Sequence, residues 1–153
     1  MNRLPAVISP AEFAFEDGEG NQDVFRLPAQ RSSVSTARVR VSDRLRQWGV
    51  CGETLDDAIL VLSELFTNAV VHTDSNEITC RLCGGAERLY LAIADQGRAT
   101  ADHDPRDPDE GGRGLLLVGA LAERWGVARD HSHGRVVWAI LAYAAEPRAR
   151  EGV

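Results

Sequence analysis

The amino-acid sequence predicts an α+β fold: a single-domain α/β sandwich in which a mixed, mostly antiparallel sheet carries helices packed on one face. Three observations lead to this class. Segments with helical periodicity alternate with short strand-like segments. The strand-like segments come in pairs separated by turn residues, as in β-hairpins. A chain of 153 residues with 44% hydrophobic content suits one domain with a real core.

The N-terminal half of the predicted domain consists of one strand and two helices. "VFRLPA" (24–29) is a short strand. "SVSTARVRVSDRLRQWG" is an amphipathic helix that ends at Gly49, because its apolar residues recur at helical spacing. These residues are Val34, Ala37, Val41, Leu45 and Trp48. A second helix is expected from Thr54, a candidate cap, to His72.

The C-terminal half consists of two hairpins with a loop and a helix between them. "EITCRLCG" and "RLYLAIAD" are strands joined through Gly84 and Gly85. The polar segment "QGRATADHDPRDPDEGGRG" is long for a structureless connection, and such loops are usually functional or disordered. "LLLVGALAERW" is a helix that begins at Gly114, and "GVARDHS" and "GRVVWAILAY" form the second hairpin. We expect flexible tails at 1–22 and 145–153 around a domain at 23–144.

Composition and charge exclude several classes of function. The formal net charge of −6 argues against a nucleic-acid partner. No apolar run is long enough to cross a bilayer, and the N-terminus lacks the features of a signal peptide, so we expect a cytoplasmic protein. The chain contains no Lys, which rules out a Walker-type phosphate loop. The three cysteines do not indicate a disulfide framework, and Cys80 and Cys83 should point to opposite faces of one strand.

The second predicted helix carries three polar residues four positions apart, in "LSELFTNAVVHT". Glu64, Asn68 and His72 form a stripe along a helix that is apolar almost all round and is therefore expected to be buried. A buried carboxylate and amide need partners, and a bound ligand with a hydrated cation such as Mg²⁺ would supply them. The alternative is that Glu64 and Asn68 lie at an exposed rim and pair with nearby Arg or backbone groups.

Asp95 closes a row of residues that share one face of a predicted strand. Leu89, Leu91 and Ile93 precede it on the face that the helices should cover. A buried acceptor there suits the amine of an adenine ring, and Gly97 would permit close approach of the backbone. The alternative is a turn cap, which is common for Asp at a strand end.

Glycines precede the last predicted helix in "EGGRGLLLV". The backbone N–H groups of Gly111, Gly112 and Gly114, together with the helix dipole, suit an anion, and Arg113 could add charge toward a phosphate. The segment from Arg98 to Gly111 would then be a lid over a nucleotide. The alternative is that these glycines only form a flexible turn before the helix and bind nothing.

These segments resemble the Bergerat-fold (GHKL) ATPases. "ELFTNAVVH" is similar to the N box, "DQG" to the first glycine box and "GGRGL" to the second. The length of the chain and the flanking segments "LPAQRSSVSTARVRV…WG" and "RWGV…GRVVWAIL" resemble the stand-alone anti-sigma-factor serine kinases. The resemblance covers about residues 24–143.

The resemblance implies roles for individual residues in an ATP and Mg²⁺ site. Glu64 would be the catalytic base and Asn68 would coordinate Mg²⁺. The cofactor-binding residues would be Asn68, His72, Asp95, Gly97, Gly112, Arg113, Gly114 and Leu115, with His72 only bordering the site. The family commonly has Thr or Ser where this chain has Val136, which predicts the loss of one hydroxyl contact near the nucleotide.

The function implied is an anti-sigma factor that binds a sigma factor and phosphorylates a serine of an anti-anti-sigma partner. Because members of this family often dimerise, a homodimer is also expected. The alternative is an ATP-binding module that sequesters a sigma factor or another partner without phosphoryl transfer. A fragment of a sensor histidine kinase and an ATPase that drives dimer clamping are further alternatives. The chain length disfavours both, because it leaves no room for a phosphoacceptor hairpin or a transducer domain.

Overall fold

A computed structural model describes residues 21–95, 112–130 and 134–143. These residues form five strands and three helices, which we number in chain order. The elements are β1 (Asn21–Pro28), α1 (Ser33–Gln47), α2 (Gly52–His72), β2 (Glu77–Gly84), β3 (Arg88–Asp95), α3 (Gly112–Leu121), β4 (Arg124–Asp130) and β5 (Gly134–Ala142).

The five strands form one sheet in the order β1-β2-β3-β5-β4, and every pairing between them is antiparallel. The α+β class and the single layer of helices are confirmed. The sheet is simpler than the mixed one expected, since the described strands contain no parallel pair. The connection through α3 lets β4 and β5 return as a hairpin, so that β5 can pair with β3.

The main core lies between the helices and one face of the sheet. In α1 the predicted apolar positions Ala37, Val41 and Leu45 are fully buried. From the sheet, alternate residues such as Leu89, Leu91 and Ile93 join this core, as the period of two predicts. A second cluster of buried residues lies on the opposite face, which we call the outer face. Its members are Cys83, Tyr90, Ala92, Val136, Trp138 and Ile140.

Several element boundaries differ from those expected. β1 begins at Asn21, three residues before the predicted start. α2 begins at Gly52 and its N-cap residue is Cys51, so the expectation that Thr54 caps this helix is wrong; Thr54 is buried in the first turn. α3 begins two residues earlier than predicted and ends at Leu121, so it does not run on to Trp125, which belongs to β4.

Candidate functional site

The polar stripe of α2 divides into an exposed part and a buried part. Leu60 and Val71 are 42% and 54% exposed, so the expectation that this helix is buried all round is wrong. Glu64 lies near them on the helical wheel and is half-buried, whereas Asn68 turns toward the core and is only 8% exposed. His72, in the last turn of the helix, is half-buried. Glu64 therefore lies at a partly exposed rim, which is the alternative stated from the sequence. Asn68 is buried, as the position of the stripe on the helix predicted.

The side-chain oxygen of Asn68 is a buried hydrogen-bond acceptor. Among the described residues, no group donates a hydrogen bond to Asn68 Oδ1. An unsatisfied buried acceptor costs about 1–3 kcal/mol, so folded proteins rarely retain one without a use for it. A hard cation takes oxygen ligands, and the amide oxygen of Asn68 fits that requirement.

Asp95 ends β3 on the side of the sheet that faces the helices, as predicted. It is 4% exposed, and its Oδ1 accepts a hydrogen bond from the backbone N–H of Arg135 over 3.5 Å. This distance is at the long limit for an N–H···O bond. Since an ionised carboxylate accepts hydrogen bonds at both oxygens, Asp95 can accept from a ligand's amine while it holds the start of β5.

The connections of the chain bring the end of α2 and Asp95 to the same end of the molecule. Residues 73–76 join the C-terminus of α2 directly to β2, so His72 lies near the start of that strand. Ile78, near the start of β2, pairs with Asp95. Asn68 lies only one turn before His72. The amide, the imidazole and the carboxylate thus gather where β2 begins and β3 ends.

The N-terminus of α3 points to this same end. Its C-terminus is fixed at the opposite end of the sheet, where the N–H of Glu123 donates to the carbonyl of Ile140 and Arg88 Nε forms an ion pair with Glu123 Oε1 at 2.7 Å. Since α3 packs along α2, its first turn faces the end that holds Asp95. The free backbone N–H groups of a helical first turn suit an anion.

The predicted glycine segment falls partly within the described residues. Gly112, Arg113 and Gly114 form the first turn of α3, and the side chain of Leu115 packs half-buried against the main core. Gly97 and the expected lid lie outside the described residues. The described part of the predicted phosphate-binding segment is therefore the first turn of α3.

The residue beside Asp95 on β5 was not anticipated from the sequence. The last pair between β3 and β5 is Ala94 with Val136, and one step further Arg135 lies opposite Asp95. Val136 belongs to the outer face, so the expectation that it stands where a hydroxyl would contact the nucleotide is wrong. Arg135 is 7% exposed and occupies the helix side of the sheet at the candidate site.

The described residues offer no other chemical centre of the kinds weighed from the sequence. Cys80 faces the main core and Cys83 the outer face, so the expectation that the two thiols diverge is confirmed. Burial raises the pKa of Cys80 to about 12 and that of Cys83 to about 11, which keeps both thiols protonated. Within the described ranges no group of three His, Cys, Asp or Glu could hold a metal ion. No helix in those ranges is long and apolar enough to span a membrane.

Comparison with known proteins agrees with this geometry. Residues 27–141 match the histidine kinase-like ATPase domain family. Serine-protein kinase RsbW of Staphylococcus epidermidis is 32% identical over 123 residues, which cover 69% of this chain and 77% of the relative. RsbW of Oceanobacillus iheyensis is 30% identical over 115 residues (64% and 73%), and that of Bacillus subtilis is 28% identical over 135 residues (77% and 82%). With three quarters of its length matched, this chain belongs to the histidine kinase-like ATPase domain family.

Proposed function

We propose that the protein is an ATP-dependent and Mg²⁺-dependent serine kinase that also acts as an anti-sigma factor in the cytoplasm. The observation that carries this proposal is the presence on α2, one turn apart, of a buried amide oxygen at Asn68 that no described residue satisfies and of a half-buried carboxylate at Glu64. The similarity to serine-protein kinases named RsbW supports the same assignment.

Different residues of this chain would bind the adenine, the phosphates and the cation. Asp95 would accept a hydrogen bond from the exocyclic amine of adenine, and the first turn of α3 would donate backbone N–H groups to the phosphates. Asn68 Oδ1 would hold Mg²⁺, with water and phosphate oxygens as the remaining ligands. When bound, the cation neutralises charge on the phosphates and thereby favours phosphoryl transfer.

Glu64 is the proposed general base. Its carboxylate would take the proton of a serine hydroxyl as the hydroxyl oxygen forms a bond to the γ-phosphorus. The bond from that phosphorus to the β–γ bridging oxygen would break, and ADP would leave. Because Glu64 is only partly buried, a serine presented on the surface of a partner protein could reach it. Most of the catalysis in such a reaction comes from positioning and charge stabilisation.

The proposed partners are a sigma factor, which the protein would sequester, and an anti-anti-sigma protein, which would carry the phosphorylated serine. A homodimer remains part of this proposal. The alternative, an ATP-binding module that sequesters a partner without phosphoryl transfer, differs only in the role of Glu64, because both functions need Asn68 and Asp95.

A transfer assay with γ-labelled ATP and the anti-anti-sigma proteins of the same organism tests the proposal. Wild type should label one of them on serine, and Glu64→Gln should abolish labelling while calorimetry still detects ATP binding. Asp56→Asn, at an exposed carboxylate of the same helix, is the matched control and should retain transfer. ATP binding without transfer to any candidate, together with capture of a sigma factor, would instead establish the sequestering module.

A further inference from the structure

Arg135 is a buried cation to which none of the roles described above gives a function. Only 7% of the residue is exposed. The alternation along β5 places it on the helix side of the sheet, because Val136 belongs to the outer face and Val137 to the main core. A guanidinium keeps its charge at neutral pH, and a buried charge is costly unless it has partners. Groups that accept hydrogen bonds are therefore expected beside Arg135.

The strand register places Arg135 beside Asp95 on the helix side of the sheet. Residues directly opposite on one face of an antiparallel pair have Cβ atoms about 4.5–5.5 Å apart, so one ligand can contact both side chains. On the other side of Asp95 lies Ile78, which is fully buried in the main core and has an apolar side chain. Of these two cross-strand neighbours, only Arg135 can therefore add a polar contact to that of Asp95.

The two side chains offer complementary hydrogen-bonding groups. An ionised carboxylate only accepts, whereas a guanidinium carries five N–H donors and cannot accept. The carboxylate has about four lone-pair sites, one of which takes the backbone N–H of Arg135, so it cannot accept from all five donors. Arg135 has contacts besides this one, but no described residue accepts a hydrogen bond from its buried Nη1. The end of β3 and the start of β5 thus present an acceptor and a donor side by side.

The Watson–Crick edge of adenine carries the matching pair of groups, because the exocyclic amine donates and the neighbouring ring nitrogen N1 accepts. When Asp95 accepts from the amine, a guanidinium donor beside it can reach N1. Guanine carries the opposite pair at these two positions, a carbonyl oxygen that accepts and an N1–H that donates. In the same orientation, guanine would set an acceptor against the carboxylate and a donor against the guanidinium, which disfavours its binding.

We propose that Arg135 is a second residue that recognises the base, by donating a hydrogen bond from its guanidinium to N1 of adenine while Asp95 accepts from the amine. Together the two residues would select adenine over guanine. The contact rests on the proposed function, because it takes ATP as the ligand of the candidate site.

Calorimetric affinities for ATP, 1-deaza-ATP and 7-deaza-ATP, each with Mg²⁺, test this contact. In 1-deaza-ATP a C–H group replaces N1, so the acceptor is lost while the amine and the phosphates remain. Wild type should bind this analogue about 10–100-fold more weakly than ATP, as expected for a hydrogen bond from a charged donor. It should bind 7-deaza-ATP, which lacks a ring nitrogen on another edge of the base, about as tightly as ATP.

The substitution Arg135→Met removes the donors and keeps a long, unbranched side chain. It should weaken ATP binding and reduce the preference for ATP over 1-deaza-ATP to less than about threefold. Arg135→Gln, which offers a neutral donor, should give an intermediate preference of about 2–10-fold. The matched control is Arg124→Met, at an exposed arginine whose partner Ile140 lies at the opposite end of the sheet, and it should keep the wild-type preference.

Equal binding of ATP and 1-deaza-ATP by wild type would overturn the contact to N1 and leave the kinase assignment in place. A wild-type preference that persists in Arg135→Met would also overturn it, because a structural role lowers the affinity for all three nucleotides alike. If Arg135→Met does not fold, an unchanged preference in Arg135→Gln has the same meaning. Wild type that binds no ATP would overturn the proposed function and this contact together. The expected preferences without any serine phosphorylation would support the contact and overturn only the kinase assignment.

Discussion

The backbone N–H of Arg135 donates a hydrogen bond to Asp95 Oδ1 across 3.5 Å, and this contact joins the first residues of β5 to the last residue of β3. It places the buried carboxylate where two central strands meet the end of α2. A carboxylate held by a backbone donor keeps its direction even when neighbouring side chains move. The sheet itself thus sets the direction of the Asp95 carboxylate.

Replacing Asp95 by Asn should weaken ATP binding by about 10–100-fold. A hydrogen bond to a charged acceptor is worth about 1.5–3 kcal/mol, and this bond would be lost. The new amide could also place a donor against the adenine amine, which is itself a donor. Calorimetry with ATP and with inosine triphosphate, which has a carbonyl in place of the amine, isolates the contact. Wild type should prefer ATP, and Asp95→Asn should narrow that preference. An unchanged ratio of the two affinities would show that Asp95 does not contact the base.

Replacing Asn68 by Leu should change stability and binding in opposite directions. The substitution removes an Oδ1 that no described residue satisfies, so the ligand-free protein should gain about 1 kcal/mol, a rise in Tm of about 2–4 °C. It also removes the proposed cation ligand, so the gain in ATP affinity caused by Mg²⁺ should disappear. Scanning calorimetry and titrations with and without Mg²⁺ measure both effects. Thr67→Val, at the preceding residue on another side of the helix, should change neither the Tm nor the effect of Mg²⁺ on ATP affinity. A less stable Asn68→Leu protein would mean that this oxygen is satisfied in solution.

Local periodicity predicted the core of α1 and the inward row of β3, because burial in these elements repeats every 3.6 or two residues and needs no knowledge of partners. The last helix shows where this method fails. The pattern continued to Trp125, but the helix ends at Leu121 because the N–H of Glu123 donates to Ile140 on β5. A pairing with a strand that follows later in the chain cannot be seen in the local pattern.

The candidate site also has features that the local sequence pattern predicted and features that it could not predict. The stripe of α2 and the face of Asp95 depend on periodicity within one element and could be predicted. The position of Arg135 beside Asp95, and of Val136 on the outer face, depends on the register between β3 and β5. A shift of one residue in that register would exchange the two faces, and the sequence of a single strand does not specify it.

Replacing Gly126 by Ala should destabilise the protein by about 1–3 kcal/mol through a clash with Trp138. A Cβ atom at this position would lie 2.8 Å from Cζ2 of the indole, which packs flat against β4. Chemical denaturation of Gly126→Ala, Trp138→Phe and the double variant measures the coupling. The smaller ring should relieve part of the cost, so the double variant should be more stable than the sum of the single changes predicts. Strict additivity would show that the glycine serves another purpose.

Asp23 should make stability depend on pH below about 4. Its carboxylate accepts from Arg40 at 3.0 and 3.2 Å and forms an ion pair with Arg44 at 3.3 Å. Burial acts to raise the pKa of Asp23, but the hydrogen bonds and charges of the two arginines outweigh it and hold the pKa below its ordinary value of 3.8. A folded-state pKa below the unfolded value means that the stabilisation is present above about pH 4 and is lost as the pH falls through the folded-state pKa.

Asp23→Asn should therefore be less stable than wild type at pH 7, and its Tm should fall less steeply between pH 5 and about 2. Thermal unfolding followed by circular dichroism across this range measures both. Glu123→Gln is the matched control, because the pKa of Glu123 is also lowered, by its hydrogen bond from Arg88, but that pair is exposed and should contribute little. Parallel Tm profiles for wild type and Asp23→Asn would mean that the arginines, one of which also lies over the Phe25 ring at 4.6 Å, hold β1 without the charge of Asp23.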